Sequence, residues 1–215
     1  MRFQEEEALR YLGAKGGADA QTRALLEKAE AELSACAVPR HTALRVRAEV
    51  CGTRVSLQAF STDSPALAAH LSGCREAYLF AATLGAGVDR AMVRLEKLNV
   101  AEALALQACA ASALECYADD VCAALAETCA PEGLYLRPRF SPGYGGFSIE
   151  HQSDMLRALQ ADRRLGLAET SSHMLTPLKS ITAVIGLSAE AQPCSEHKCA
   201  ACGNLACEYR KESSK

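Results

Sequence analysis

The chain has 215 residues, of which 49% are hydrophobic, so one well-packed domain is expected. A formal net charge of −3 argues against a nucleic-acid surface, which needs a concentrated basic patch, and no apolar run approaches the roughly 18 residues of a membrane span. These features predict no nucleic-acid or membrane partner. The acidic start, Met-Arg-Phe-Gln-Glu-Glu-Glu, differs from a secretion signal, so we expect a cytoplasmic protein whose 11 cysteines are reduced.

Two helices are predicted at the N-terminal end. Residues 4–12 form a short helical pattern that Gly13 and the pair Gly16-Gly17 interrupt. Asp19 is suited to cap a second helix. Its apolar residues fall on one face at helical spacing: Leu25, Leu26, Ala29 and Leu33.

The next segment predicts β-structure. Residues 44–50 alternate strictly between apolar and polar, and 55–59 resume the alternation after Gly52-Thr53. This pattern is typical of a β-hairpin with one solvent-exposed face. Ser64-Pro65 then opens a short helix to Leu71. Residues 77–82 are apolar throughout and indicate a buried central strand.

Asn99 is placed to cap the longest helix, predicted over 100–129, which is apolar on so much of its circumference that it should lie buried between layers. A loop over 130–147, an amphipathic helix over 148–159 and a strand over 179–187 follow. A hairpin, two further strands and several helices without regular β-α-β alternation predict a single α+β domain.

The most informative motif is Arg139-Phe-Ser-Pro-Gly-Tyr144, continued by Gly145-Gly146-Phe147. Proline fixes one backbone angle, and the glycine after it allows a left-handed turn or a close ligand approach. Such a turn can present the planar guanidinium of Arg139 to a carboxylate, while Tyr144 offers an aromatic face and a hydroxyl.

This Arg-x-x-x-Gly-Tyr motif resembles the S-adenosylmethionine site in the reactivation domain of cobalamin-dependent methionine synthase. The segment Leu175-Thr-Pro-Leu-Lys-Ser-Ile-Thr-Ala-Val-Ile-Gly186, preceded by Leu165-Gly-Leu167, resembles the same family, especially its stand-alone members. Segments 79–85 and 113–119 also resemble the stand-alone form. The resemblance implies an activation-like domain over 1–188. The residues 189–215 depart from the family, because a cysteine-rich tail replaces its further binding elements.

The resemblance implies a cofactor-binding set of five residues: Arg139, Ser141, Gly143, Tyr144 and Glu115. Arg139 would bind the carboxylate of S-adenosylmethionine and Glu115 its cationic end, while Tyr144 would line the side that faces the corrin. Asp119 lies four residues after Glu115, on the same helix face. The alternative for these two acids is that they only solvate one side of the helix.

The function implied by the resemblance is that of a reactivation subunit for a cobalamin-dependent methionine synthase or a related corrinoid protein. Cobalamin that has stalled as Co(II) would receive an electron from a flavodoxin or ferredoxin and a methyl group from S-adenosylmethionine. The chain itself would contribute positioning, with no catalytic residue of its own, and would not methylate homocysteine alone.

The tail carries Cys194, Cys199, Cys202 and Cys207 within a short polar stretch, a spacing that suits tetrahedral zinc or an iron–sulfur cluster. Free thiols or a disulfide switch are the alternatives. The tail also leaves two other functions open, an iron–sulfur electron donor that reactivates a corrinoid methyltransferase protein and a zinc-stapled binding module without adenosylmethionine affinity.

Other residues with metal- or redox-capable side chains are interpreted as structural. Four cysteines recur on the long helix at a spacing that favours core packing: Cys109, Cys116, Cys122 and Cys129. His151, close to the motif, is interpreted as a structural histidine rather than a cobalt ligand.

Overall fold

A six-stranded antiparallel sheet with helices on both faces organises the chain in the computed structural model, which describes residues 1–14 and 18–191. The helices are α1 (Glu5–Tyr11), α2 (Ala20–Cys36), α3 (Pro65–His70), α4 (Ala86–Leu98), α5 (Val100–Cys129), α6 (Gln152–Leu159) and α7 (Ala161–Leu165). The strands are β1 (Arg40–Cys51), β2 (Arg54–Leu57), β3 (Phe60–Asp63), β4 (Glu76–Thr83), β5 (Tyr135–Leu136), β6 (Ala168–Glu169), β7 (Leu175–Thr176) and β8 (Ser180–Ser188).

The strand order is β3-β2-β1-β4-β8-β5, and β6 and β7 form a separate small hairpin. Strand β4 lies near the middle and is buried along almost its whole length, as its apolar sequence predicts. Short 3-10 turns at Ala130–Glu132 and Ile149–His151 complete the architecture. The predicted α+β class and single domain are confirmed.

Successive side chains of a strand point to opposite faces, so the sheet separates two cores. Phe80 of β4 belongs to the core that holds α1, α2, α4 and α5. Its neighbour Leu79 belongs to the opposite core, which holds α3, α6 and α7. We call these the α5 face and the α6 face of the sheet.

The predicted helix starts are confirmed by their capping bonds. The Asp19 carboxylate accepts a hydrogen bond from the Thr22 amide at 2.7 Å, and the Ser64 hydroxyl accepts one from Leu67 at 3.2 Å. Asn99 accepts two backbone bonds at the start of α5. These bonds satisfy amide groups that have no partner inside the helix.

The long helix α5 is packed between the sheet and the helices α1, α2 and α4. Its cysteines fill space in the core, as predicted: Cys109, Cys116 and Cys129 are buried and Cys122 is half-buried. Burial raises the pKa of the Cys109 thiol to about 12, so this group stays uncharged.

Some elements differ from the sequence prediction. Helix α4 and strand β3 occupy stretches for which no element was predicted, and β5 lies inside the predicted loop 130–147. The predicted helix 148–159 begins as a 3-10 turn, and regular α-helix starts only at Gln152. Of the helices in the described ranges, none has both the length and the apolarity needed to cross a bilayer.

Candidate functional site

The segment that follows β5 continues along the edge of β8 but carries one extra residue. Leu136 pairs with Leu187, and the Arg137 amide donates to the Gly186 carbonyl at 2.8 Å. An uninterrupted register would next pair Phe140 with Ala183. Phe140 instead exchanges both backbone bonds with Val184, at 2.9 and 2.8 Å. The segment 137–140 is therefore a β-bulge.

The bulge decides which way Arg139 points. Leu136 contacts the α5 face of the sheet, and strict alternation would place Phe140 on that same face. Because the bulge shifts the alternation by one residue, Phe140 packs into the core on the α6 face, and the Arg139 side chain turns to α5. Bulges are known to redirect side chains next to functional sites.

Arg139 lies between two carboxylates of α5. Its Nη2 donates to Glu115 at 2.5 Å and its Nη1 to Asp119 at 2.7 Å. The arginine side chain is 15% exposed, whereas those of Glu115 and Asp119 are 38% and 65% exposed. Burial disfavours the charged guanidinium, but the two carboxylates outweigh it and hold the pKa of Arg139 above its ordinary value.

The turn after Arg139 requires glycine and is fixed by a buried aromatic ring. Gly143 has φ +92°, and its amide donates to the Phe147 carbonyl at 2.7 Å. The Phe147 amide in turn donates to the Tyr144 carbonyl at 2.9 Å, and the Phe147 ring is buried. The turn is thereby anchored at Phe147, while Tyr144 at its tip is 71% exposed.

A cavity of about 700 Å³ lies beside this turn. It extends from Glu115 and Arg139 on the α5 face, past the open edge of β8, to His70 and Gln152 on the α6 face. Much of the wall between these ends is apolar or aromatic: Phe140, Ile149, Leu175, Leu178 and Ile181. A mostly apolar cleft with a few convergent polar groups is the usual form of a small-molecule site.

The edge of β8 also offers backbone groups to this cavity. Val184 and Gly186 direct their hydrogen-bonding groups to segment 137–140, whereas the Lys179 carbonyl accepts from Leu84 on the β4 side. By the two-residue period of a strand, the amide and carbonyl of Thr182 point to the cavity edge. Strand β5 is too short to cover this part of β8.

The structure brings four of the five predicted cofactor-binding residues to the cavity wall: Glu115, Arg139, Ser141 and Tyr144. Gly143 does not line the cavity, and its backbone shapes the turn. Glu115 and Asp119 do more than solvate the helix, because both pair with Arg139.

The predicted metal ligands Cys194, Cys199, Cys202 and Cys207 lie outside the described residues. Within residues 1–14 and 18–191, no group of three or more Cys, His, Asp or Glu residues could hold a metal ion. His151 stacks on Phe147 and its Nδ1 lies 3.0 Å from Asp154, which agrees with a structural role.

Polar residues at the cavity that were not predicted from sequence include His70, Gln152 and His173. His70 lies within 2.9 Å of the Pro138 carbonyl, and the Gln152 amide oxygen accepts from the Thr182 hydroxyl. These residues come from α3, α6 and the β6–β7 turn, so no sequence motif joins them.

Comparison with known proteins defines the class of fold. No family model matches the chain, and no curated protein matches it. Among solved structures, the crystal structure of the MetH reactivation domain bound to AdoHcy superposes with a TM-score of 0.65 at 14% identity. The match covers 90% of this chain and 72% of the other. The chain therefore has the fold of the MetH reactivation domain, as the sequence resemblance implies.

Proposed function

We propose that this protein binds S-adenosylmethionine in the cavity beside Arg139 and presents its methyl group to the reduced cobalamin of a partner methionine synthase or related corrinoid protein. The observation that carries the proposal is the joint placement of Arg139, Glu115, Ser141 and Tyr144 on one cavity wall. The fold adds support, because the structurally similar MetH domain was crystallised with AdoHcy.

The charged end of the cavity is suited to the amino-acid part of such a ligand. Arg139 can donate to a carboxylate, and Glu115 can accept from an ammonium group. The 2.5 Å contact between the two side chains means that opposite charges are already adjacent, as they are in a zwitterion. Asp119, outside the cavity wall, would keep the guanidinium oriented when Glu115 turns to the ligand.

The remaining length of the cavity is suited to a nucleoside. Phe140 and Ile149 offer apolar surface for a planar base, and the Thr182 backbone at the β8 edge offers an amide and a carbonyl. The ligand would then lie with its amino-acid end on the α5 face and its nucleoside end on the α6 face. We infer that its sulfonium centre lies between these ends.

The mouth of the cavity is suited to docking a partner. Three of its residues expose large apolar side chains: Tyr144 at 71%, Met174 at 57% and Leu178 at 63%. An exposed apolar rim around a polar-ended cavity is typical of a contact surface. We propose that this rim contacts the corrin-carrying domain of the partner and brings the cobalt within reach of the methyl group.

The contribution of this chain to the chemistry is orientation. The partner's cobalamin, reduced from Co(II) by one electron from a flavodoxin or ferredoxin, is the nucleophile. The methyl carbon would transfer from sulfur to cobalt, and adenosylhomocysteine would leave with the electron pair of the broken C–S bond. Holding the donor in line with its acceptor is sufficient to accelerate such a transfer.

Two measurements test the proposal. Calorimetric titration of the purified chain should show saturable binding of S-adenosylmethionine and of adenosylhomocysteine. Mixed with a cobalamin-loaded methionine synthase, a reductant and S-adenosylmethionine, the chain should then convert the Co(II) spectrum to that of methylcobalamin. Conversion at the same rate without the chain, or no binding of either ligand, would refute the proposed function.

A further inference from the structure

A hydrogen-bonded triplet of side chains holds His173 at the cavity wall. His173 Nδ1 lies 3.1 Å from Glu169 Oε2, and the Ser153 hydroxyl donates to the other oxygen of the same carboxylate. A carboxylate only accepts, so the Nδ1 atom carries the proton of this bond. In the neutral ring Nε2 is then an acceptor, and the described part of the chain provides no hydrogen-bond partner for it.

The backbone at His173 also indicates that the position of this side chain is constrained. His173 has φ +60°, a left-handed conformation that is uncommon for residues other than glycine. Its amide donates to the Thr170 carbonyl at 2.9 Å, and the Thr170 hydroxyl accepts from the Met174 amide at 3.2 Å. These turn bonds and the bond to Glu169 fix the ring, whose side chain is 33% exposed.

The place of His173 in the cavity suggests which part of a ligand it meets. Arg139 and Glu115 lie on the α5 face, whereas the β6–β7 hairpin contacts α6, on the opposite face of the sheet. Gln152 lies on the same side, and its oxygen is already bonded to Thr182, which leaves its NH₂ group as a donor. A ligand anchored at Arg139 would therefore place its far end between His173 and Gln152.

This inference rests on the proposed function. We propose that His173 is a specificity-determining residue that accepts a hydrogen bond from a donor on the nucleoside end of the ligand, and that Glu169 and Ser153 position it. The candidate donors are the 6-amino group of adenine and the ribose hydroxyls. In sequence the three residues belong to no motif, since they come from α6, β6 and the β6–β7 turn.

Ligand analogues test the proposal directly. We would measure dissociation constants for S-adenosylhomocysteine and for its inosyl, 2′-deoxy and 3′-deoxy analogues with wild type and His173→Gly. Glycine keeps the left-handed turn without strain, so the variant should remain folded. Wild type should bind the analogue that lacks the recognised donor about tenfold more weakly, the usual effect of one hydrogen bond. His173→Gly should bind the parent ligand about tenfold more weakly and lose that discrimination.

The positioning role of Glu169 has its own readout. In ¹⁵N spectra of the ligand-free protein, His173 should be in the Nδ1–H tautomer, and Glu169→Gln should shift it towards the other tautomer. Glu169→Gln should also reduce discrimination between the analogues without abolishing ligand binding. As a matched control, His41→Ala removes a histidine whose Nδ1 lies 2.8 Å from the Tyr117 hydroxyl outside the cavity wall, and should leave discrimination unchanged.

The outcomes are distinguishable. If wild type binds adenosylhomocysteine and His173→Gly keeps the same preference among analogues, His173 is only a turn residue and the inference is wrong, while the proposed function stands. If wild type binds none of the four ligands, the proposed function fails and this inference fails with it.

Discussion

The guanidinium of Arg139 lies 2.5 Å from the carboxylate of Glu115, a residue 24 positions earlier in the chain. The sequence resemblance implies that these residues bind opposite ends of the same ligand. The structure shows that they also bind each other, with Asp119 as a third partner at 2.7 Å. A ligand that carries both charges can therefore replace one ion pair with two, without leaving either side chain unpaired.

Arg139→Ala should weaken binding of S-adenosylmethionine by roughly 1.5–3 kcal/mol, the range for losing a hydrogen bond to a charged group. This corresponds to a dissociation constant about ten- to hundredfold higher, measured by calorimetry. Arg139→Lys should be nearly as damaging, because an ammonium group lacks the planar two-pronged geometry.

Arg45 provides the matched control for these variants. It also bonds two carboxylates, Glu76 at 2.5 Å and Glu132 at 2.8 Å, but does not line the cavity. Arg45→Ala should leave the affinity for S-adenosylmethionine unchanged. The melting temperature should fall by a similar small amount in Arg45→Ala and Arg139→Ala, because each variant loses two ion pairs. If Arg139→Ala and wild type bind S-adenosylmethionine with equal affinity, Arg139 does not bind the ligand.

Glu115→Gln and Asp119→Asn should have unequal effects, because only Glu115 lines the cavity. We expect Glu115→Gln to weaken the binding of adenosylhomocysteine about tenfold, because a charge-assisted bond to the ammonium group is lost. Asp119→Asn should weaken binding less. An analogue without the amino group should bind Glu115→Gln and wild type alike. If Glu115→Gln loses the same affinity for adenosylhomocysteine and for the analogue without the amino group, Glu115 does not bind the ammonium group.

Gly143→Ala should impair both stability and binding. At φ +92° an added Cβ is strained, and it would also lie 3.3 Å from Ile149 Cδ1. We expect a loss of about 1–3 kcal/mol of stability and weaker ligand binding, because the turn carries Ser141 and Tyr144. Gly52→Ala is the control, since Gly52 has φ +62° but no atom near its Cβ position, and is remote from the cavity. It should lower stability in denaturant titrations and leave binding unaffected.

Stability should decline in alkaline solution, and the buried thiol of Cys109 should contribute to that decline. Burial raises the pKa of this thiol from its ordinary 9.0 to about 12. The contribution of the uncharged thiol to the free energy of unfolding is fully present below pH 9.0 and is lost as the pH rises towards 12. In this range the unfolded chain releases a proton that the folded chain retains. Denaturant midpoints measured across this range should fall with pH. Cys109→Ala should be less stable overall but lose less stability over the same interval. A pH dependence of stability equal to that of wild type would exclude a contribution from Cys109.

The cysteine tail is tested by metal content. If Cys194, Cys199, Cys202 and Cys207 share a metal, protein purified without oxygen should contain about one zinc, or several irons with sulfide. Removal of residues 190–215 should abolish that metal and preserve the fold and ligand binding, because the last strand of the sheet ends at Ser188. If the protein purified without oxygen contains no metal, the prediction of a four-cysteine metal site is wrong.

The nature of the metal also separates the alternative functions. An iron–sulfur electron donor should be brown, and it should lose reactivation activity on truncation even if adenosylhomocysteine still binds. A zinc-stapled binding module should contact its partner equally well with and without the adenosyl ligand.

Local interactions made part of this protein predictable from sequence. Asp19, Ser64 and Asn99 were recognisable as helix caps because a cap bonds to amides only two or three residues away. The long helix α5 was predicted with its observed bounds, since its alanine and leucine pattern repeats on every turn. The turn at Gly143 was likewise recognisable, because the Pro-Gly pair has few allowed backbone conformations.

The tertiary structure alone decided how these parts meet. The sequence of 137–140 does not reveal a bulge, because the extra residue exists only relative to β8, a strand more than forty residues later. That bulge determines that Arg139 faces Glu115 rather than the opposite core. In the same way, Ser153, Glu169 and His173 form one network only because α6 and the β6–β7 hairpin pack on the same face. Caps and turns are set by neighbours in sequence, whereas register and side-chain encounters are set by the packing of distant elements.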